Sequence, residues 1–431
     1  MGKRSFYMKK TLGAEKPWYK WIVAAACFVM IFVGLGFCSS NKSMYLGAIT
    51  QALGIKRSLF SLNDSFRYIA TAVVNLFFGA LIGKFGARKL VGAGFLCLAA
   101  SVTVNIFAGQ VWQFWIGGVL LGVGMSFCST TMVSYLVGRW MPEKRGTVTG
   151  AILCANGLGG ALAAQIINPM INDPSNAFGY RRAYAMVAIL VLVVGCAVTV
   201  FVREPAVQVG SAQAKKKRGR QWTGISLRQA LKKPYFYAAG ACVLLTGMAL
   251  QGIHGIAATH MYDVGLNKNY VATVLSVSSL VLTGSKFLVG FSYDKLGLRI
   301  TVTISDLFGS AAFLCLAFVG SANAGNLLAM GYGVMASLAL PLETVLVPLI
   351  AADLFGEKEF AKMLGIFVSL NTAGYALGTP VANLVFEAFG SYSPVLILFG
   401  IMMAVIAVVF QFIMNSARKV QKQAEAAEIK Q

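Results

Sequence analysis

Lys286 stands alone in the apolar stretch "LVLTGSKFLVGF", eight residues before Asp294. An ammonium fixed in apolar surroundings is costly unless an opposite charge offsets it, so the position suits the capture of an anion. Glu343, in "LPLETVLVP" between Pro341 and Pro348, is the acidic counterpart. A carboxylate there either neutralises Lys286 as an ion pair or holds a proton or cation whose presence alters how tightly Lys286 holds an anion. Both readings remain open at the level of sequence. Covalent chemistry finds no support: there is no GxSxG elbow, HExxH pair or Walker loop, so the chain reads as a non-enzyme without cofactor.

The elements that must position these groups follow from composition. Of 431 residues 57% are hydrophobic and 12% charged, against roughly 25% charged in a soluble domain. Apolar runs long enough to cross a bilayer recur along the chain, each needing about 20 residues. Twelve spans are predicted, at about 18–53, 59–83, 89–107, 111–139, 146–171, 181–202, 234–264, 269–292, 299–319, 325–353, 361–386 and 392–415. Helices rather than barrel strands are expected because the runs do not alternate polar and apolar residues. The fold class is therefore all-α and membrane-embedded, with the lipid bilayer as an obligatory partner.

Lysine and arginine set the orientation. With an inside N-terminus, the inner segments carry 29 of them and the outer loops five, namely Lys56, Arg57, Arg181, Arg182 and Lys268. This bias predicts both termini in the cytoplasm, for a multi-pass protein of the plasma (inner) membrane. It also accounts for the net charge of +22, so "KKKRGR" reads as a solvated linker near anionic lipid and no nucleic-acid partner is expected. The eight cysteines are scattered singly through the spans and read as small packing residues, with no metal site.

Depth is read by counting from the inner face at 1.5 Å per residue. Lys286 lies about 12 Å from Asp294, and Glu343, ten residues before Asp353, lies about 15 Å from that face, so both fall near the midplane. Arg67 follows Asp64 by three residues and reads as a local helix-face pair. Asp306 is expected to pair or hydrogen-bond between helices. His254 and His260, six residues apart, do not share a helix face and so form no metal pair, although His254 is placed to meet solute. In the fourth span Tyr135 is a candidate solute contact, while Gly117, Gly118, Gly122 and Gly124 permit close packing. Asn156 and Asn371 are polar groups in apolar runs.

"GALIGKFGARK" (Gly79–Lys89) and "GFSYDKLGLRI" (Gly290–Ile300) share one pattern: Gly79, Lys84, Gly86 and Arg88 map onto Gly290, Lys295, Gly297 and Arg299 with a constant offset of 211. Two such turns at equal depth predict a duplication of six spans, the kind used by rocking transporters. The predicted domains are 1–202, a basic linker 203–233, a second bundle 234–417 and a tail 418–431.

These turns resemble the loop motif of the major facilitator superfamily, and the resemblance covers all twelve spans. It implies two six-helix pseudo-symmetric halves around a central cavity and transport by alternating access. The chain departs at Gly83, where the first copy of the motif usually has aspartate, so a conformational lock would rest on Asp294. "YLGAITQALGIKRSLFSL", "RWMPEKRGTVTGAILCANGLGG", "FGYRRAY" and "LIAADLFGEKEFAKMLGIF" together resemble the branch of oxalate/formate antiporters and monocarboxylate transporters. That resemblance places Lys286 on a basic substrate position, Lys42 on a first-helix lysine, Tyr45 beside it, and Asn371 where the antiporters carry a second lysine. One cation instead of two implies a small monoanion, carried by proton symport or anion exchange, in a monomer. Against this stand a cationic or drug-like solute recognised by Glu343, and a non-transporting membrane sensor that signals through the linker.

Overall fold

The computed structural model describes residues 18–40, 42–171, 178–205, 224–320 and 325–429, and within them the chain is helical, with no strand among the described residues. The helices are α1 (Tyr19–Phe37, continued by Lys42–Leu53), α2 (Arg57–Leu76 with Phe78–Phe85), α3 (Ala87–Phe107), α4 (Val111–Trp140), α5 (Pro142–Ile171), α6 (Gly179–Phe201), α7 (Pro234–Asp263), α8 (268–296), α9 (298–317), α10 (Gly325–Phe355), α11 (Phe360–Phe389) and α12 (Ser393–Ile429). Among the described residues ten helices, Asn269–Ala317 among them, are long and apolar enough to cross a membrane, and α2 joins them as a bent pair with a 61° break. The continuous segment Lys268–Ala317 divides at Gly297, whose φ of 79° lies outside the helical region, and this separates α8 from α9. The twelve predicted spans are thereby accounted for.

The two glycine turns have equivalent geometry. Gly86 (φ 75°) ends α2 and Gly297 (φ 79°) ends α8, both in the left-handed region that a side chain resists. Arg88 donates from Nε to the Thr199 carbonyl near the end of α6, at 3.0 Å. Arg299 reaches the corresponding part of α12, at Gln411 and at Asn415 Oδ1, the latter 3.4 Å away. Both turns lie at one end of the bundle, the basic end.

The halves meet along α2 with α11 and α5 with α8. Bare backbone makes this contact possible: a methyl group on Gly150 would strike the Lys286 carbonyl oxygen, and one on Gly79 would come within 2.6 Å of the Lys362 Cα. The predicted packing role of the fourth-span glycines holds as well, since Gly124 abuts the Gly94 carbonyl and Gly122 the Arg67 carbonyl. Helix α1 ends in a π-helical turn at Phe32–Phe37, and α10 contains another at Leu342–Leu346, between Pro341 and Pro348. Proline removes a ladder donor, and the widened turn that results carries Glu343.

Candidate functional site

At the basic end a set of polar contacts joins the halves. The α5 N-terminus presents unpaired backbone N–H groups, and Asp294 at the end of α8 accepts two of them, Gly146 N–H at 3.0 Å and Thr147 N–H at 2.7 Å. Gly146 and Gly290 touch backbone to backbone beside this cap. Arg145 bonds Glu357 at 2.8 Å and lies over the Phe360 ring at 4.0 Å, tying α5 to the α10–α11 turn. Tyr293 donates to Asp353 Oδ1 at 2.6 Å. Lys84 and Lys295 lie over the neighbouring rings of Phe85 and Phe291, each at 5.3 Å. All nine residues of the two glycine motifs named from sequence thus lie at this end. No carboxylate stands at Gly83, and a methyl group there would meet nothing within 4 Å.

Midway along α8, Ser278 and Ser285 both bond Ser337 of α10, the latter through its hydroxyl to the Ser337 carbonyl at 2.6 Å. The two helices run in the same direction, so this register puts Lys286 and Glu343 within about one residue rise, roughly 2 Å, of equal depth. Lys286 is 5% exposed and Glu343 7%. They form no ion pair: among the described residues the pairs are Arg67–Asp64, Arg145–Glu357 and Lys362–Glu359, and the Lys286 ammonium meets no carboxylate. The Lys286 ammonium lies within electrostatic reach of Cys154 on α5, whose thiol is held by the Thr283 carbonyl at 2.9 Å.

Glu343 faces a different set of groups. The Tyr375 hydroxyl of α11 lies beside its carboxylate, and Asn371 donates to that hydroxyl at 2.7 Å and to the Glu343 carbonyl at 3.4 Å. Glu343 Oε1 has no hydrogen-bond partner. Across the junction, Tyr68 of α2 packs edge-on to Tyr375, with ring centroids 5.7 Å apart. Arg67 lies over the Tyr68 ring at 4.3 Å, donates to Ser39 Oγ at 2.5 Å and meets Asp64 at 3.4 Å. The predicted Asp64–Arg67 pair is present. Its extension through Tyr68 and Tyr375 to Glu343 was not visible from sequence, because α2 and α11 lie about 300 residues apart and nothing periodic links them.

The other sequence candidates are dispersed. Lys42 opens the second segment of α1, but its side chain lies outside the described residues, as does the linker stretch 206–223. Tyr45 stacks on Tyr184, 4.2 Å between centroids, toward the end opposite the basic end. His254 is exposed although it sits midway along a bundle helix. His260 is buried, its Nε2 3.1 Å from the Leu316 carbonyl. Tyr135 is grouped with the basic end and not with Lys286: its hydroxyl donates to Glu204 Oε2 at 3.1 Å, while Glu204 Oε1 caps α3 at Ala87 N–H, 2.6 Å away. Asn156 accepts from Ser40 at 2.8 Å. Asp306 departs from expectation, since it is fully buried and neither carboxylate oxygen meets a hydrogen-bond partner. No cluster of three metal-ligating side chains occurs among the described residues.

A family model described as Major Facilitator Superfamily matches residues 26–348 and 239–430. An uncharacterized MFS-type transporter of Bacillus subtilis, YcxA, is 24% identical over 390 residues, covering 87% of this chain and 90% of the relative. The sialic acid transporter NanX of Escherichia coli is 23% identical over 378 residues, 84% and 88% of the two chains. Monocarboxylate transporter 12 of Rattus norvegicus is 20% identical over 366 residues, 78% and 72%. Among solved structures, the proton:xylose symporter XylE bound to 6-bromo-6-deoxy-D-glucose superposes with a TM-score of 0.71 at 14% identity, covering 92% and 96%. The E. coli fucose:proton symporter FucP does so at 0.70 and 16%, covering 92% and 99%.

Proposed function

The chain belongs to the Major Facilitator Superfamily, a transporter and not an enzyme, and from that premise we propose that its cargo is a small organic anion, with monocarboxylates the favoured class. The supporting observation is Lys286, a buried ammonium on the seam between the halves with no carboxylate beside it. Placing lysine at the bilayer centre costs roughly 2.5–3.5 kcal/mol on insertion scales. An arriving carboxylate offsets that penalty and leaves a loaded site close to neutral, which is the state able to change sides. Relatives named for sialic acid and for monocarboxylates fit this reading better than those named for hexoses or multidrug resistance.

Glu343 is assigned the coupling role. One carboxylate oxygen is unpartnered, and the Tyr375–Tyr68 contact connects its surroundings to the other half. Protonation of Glu343 in step with anion binding gives proton symport, whereas a carboxyl that stays protonated gives anion exchange. The basic end is taken as cytoplasmic, with both termini on that side of the plasma membrane and the halves dividing at 203–233. In that orientation the Asp294 and Arg145 contacts close the cytoplasmic gate.

Counterflow in proteoliposomes tests the assignment. Vesicles preloaded with a short-chain monocarboxylate should accumulate the labelled acid, and Lys286→Ala should abolish this. A second reading, a cationic solute held by Glu343 between Tyr68 and Tyr375, draws on the unpartnered Oε1 and the two aromatic rings. It predicts the reverse hierarchy, with an organic amine accumulated, Glu343→Gln inactive and Lys286→Ala tolerated.

A further inference from the structure

Residues 224–230, which precede α7, lie against the α10–α11 turn, residues 356–359. Ile225 donates its N–H to the Phe355 carbonyl at 3.1 Å, and Leu227 donates its own to Glu359 Oε2 at 2.5 Å. Gly224, with φ at 97°, approaches so closely that a methyl group on it would come within 2.5 Å of the Phe355 carbonyl oxygen. Ile225 and Ala230 are buried, so the segment is packed there as well as hydrogen-bonded.

The same turn faces the first half. Glu357, two residues before Glu359, bonds Arg145 of α5 at 2.8 Å. One carboxylate of the turn therefore holds the end of the linker, and its neighbour holds the opposite half. We infer that the linker end, residues 224–227, is a brace that positions Glu357 for Arg145 and so favours the state closed at the basic end. The inference rests on the transport reading only in requiring that this end open and close.

The two partners of the ion pair are held very differently. Arg145 is 5% exposed and lies over the Phe360 ring at 4.0 Å, so its guanidinium is already fixed. Glu357 is 52% exposed, and its position depends on the backbone that carries it. An exposed ion pair contributes little when long side chains must first be immobilised, and more when they are held beforehand. The bonds at Phe355 and Glu359 pin the turn on both sides of Glu357. Loss of the brace leaves both charges in place and frees the acidic one.

Electron–electron distance measurements between nitroxides at Lys89→Cys on α3 and Ser416→Cys on α12 test the inference. Both sites are exposed near the basic end, in opposite halves. The full-length protein is used in lipid nanodiscs, with its native cysteines replaced. Leu227→Pro deletes the N–H that Glu359 accepts. Leu227 is the first residue of the short helix Leu227–Ala230 and Ser226 before it is extended (φ −73°, ψ 156°), so proline fits. Gly224→Ala lifts the same segment by steric contact and carries the test should the proline variant fail to fold. Both should raise the fraction of long distances at least fivefold and speed tryptic cleavage after Arg228 by a similar factor. Leu227→Met keeps the N–H and should change neither by more than twofold. Wild-type distances in both variants, whether or not cleavage is faster, overturn the inference. A gain in short distances does so too, as does a shift in Leu227→Met equal to that in Leu227→Pro. The distances are read without solute, so failure of counterflow with every acid would bear on the anion reading and not on the brace.

Discussion

The Asp294 carboxylate accepts the Gly146 N–H at 3.0 Å and that of Thr147 at 2.7 Å, so a side chain of one half caps a helix of the other. An intramolecular cap of this type stabilises by about 0.5–2 kcal/mol. Here it does so only while the halves are closed at the basic end, and it therefore acts on the balance between conformations.

Removing this cap should favour opening. Asp294→Ala is expected to shift the closed-to-open ratio about tenfold toward open, within the range of cap energies. In a chain whose other cysteines are replaced, the maleimide labelling rate of Cys154, beside Lys286, reports the change. An unaltered rate would show that Arg145–Glu357 alone holds this end.

Adding the missing carboxylate should do the opposite. There is open space at Gly83, so Gly83→Asp is expected to fit without strain and to face the α11 side of the junction, as Asp294 faces α5. The expected outcome is slower counterflow with a higher unfolding temperature, and faster counterflow would contradict it.

Lys286→Met should separate stability from function. An unpaired ammonium is removed in favour of an apolar chain of similar length, so unfolding temperature should hold or rise while acid uptake falls by two orders of magnitude or more. Lys286→Arg should keep part of the uptake, since charge is retained but the planar guanidinium must fit beside Cys154. A large loss of stability in the methionine variant would mean that the ammonium has a structural partner.

Coupling is tested at Glu343. Glu343→Gln should leave exchange of labelled for unlabelled acid intact and abolish accumulation driven by a pH gradient. Loss of both would place the carboxylate in anion binding itself.

A smaller effect is expected where the linker meets the second half. Glu359 bonds Lys362 at 2.5 Å and accepts the Leu227 N–H at 2.5 Å, and these contacts hold its carboxyl below the usual range. A depressed pKa stabilises the docked state above the ordinary glutamate range and loses that effect as pH falls through the lowered value. Tryptic cleavage after Arg228 and Lys232 should accordingly be faster in Glu359→Gln than in wild type at neutral pH.

The elements legible in the sequence were those with local signatures. Span positions follow from apolar runs, and the turns at Gly86 and Gly297 from a repeated spacing that requires a left-handed residue. Counting placed Lys286 and Glu343 at one depth, and the serine contacts between α8 and α10 agree. Contacts between halves escaped because they depend on side chains far apart in sequence: Tyr68 with Tyr375, and Arg145 with Glu357. Tyr135 looked suited to a cavity but is taken by Glu204, which nothing near Tyr135 in sequence announces. Asp306 was expected to find a partner because buried charges usually do, yet neither of its oxygens has one.

The contact between Gly150 and the Lys286 carbonyl leaves no space for even one extra carbon. Helices packed that closely cannot slide along one another there without first parting. On the anion-carrier reading the ammonium therefore sits on the junction itself, so any parting of the halves alters its immediate surroundings.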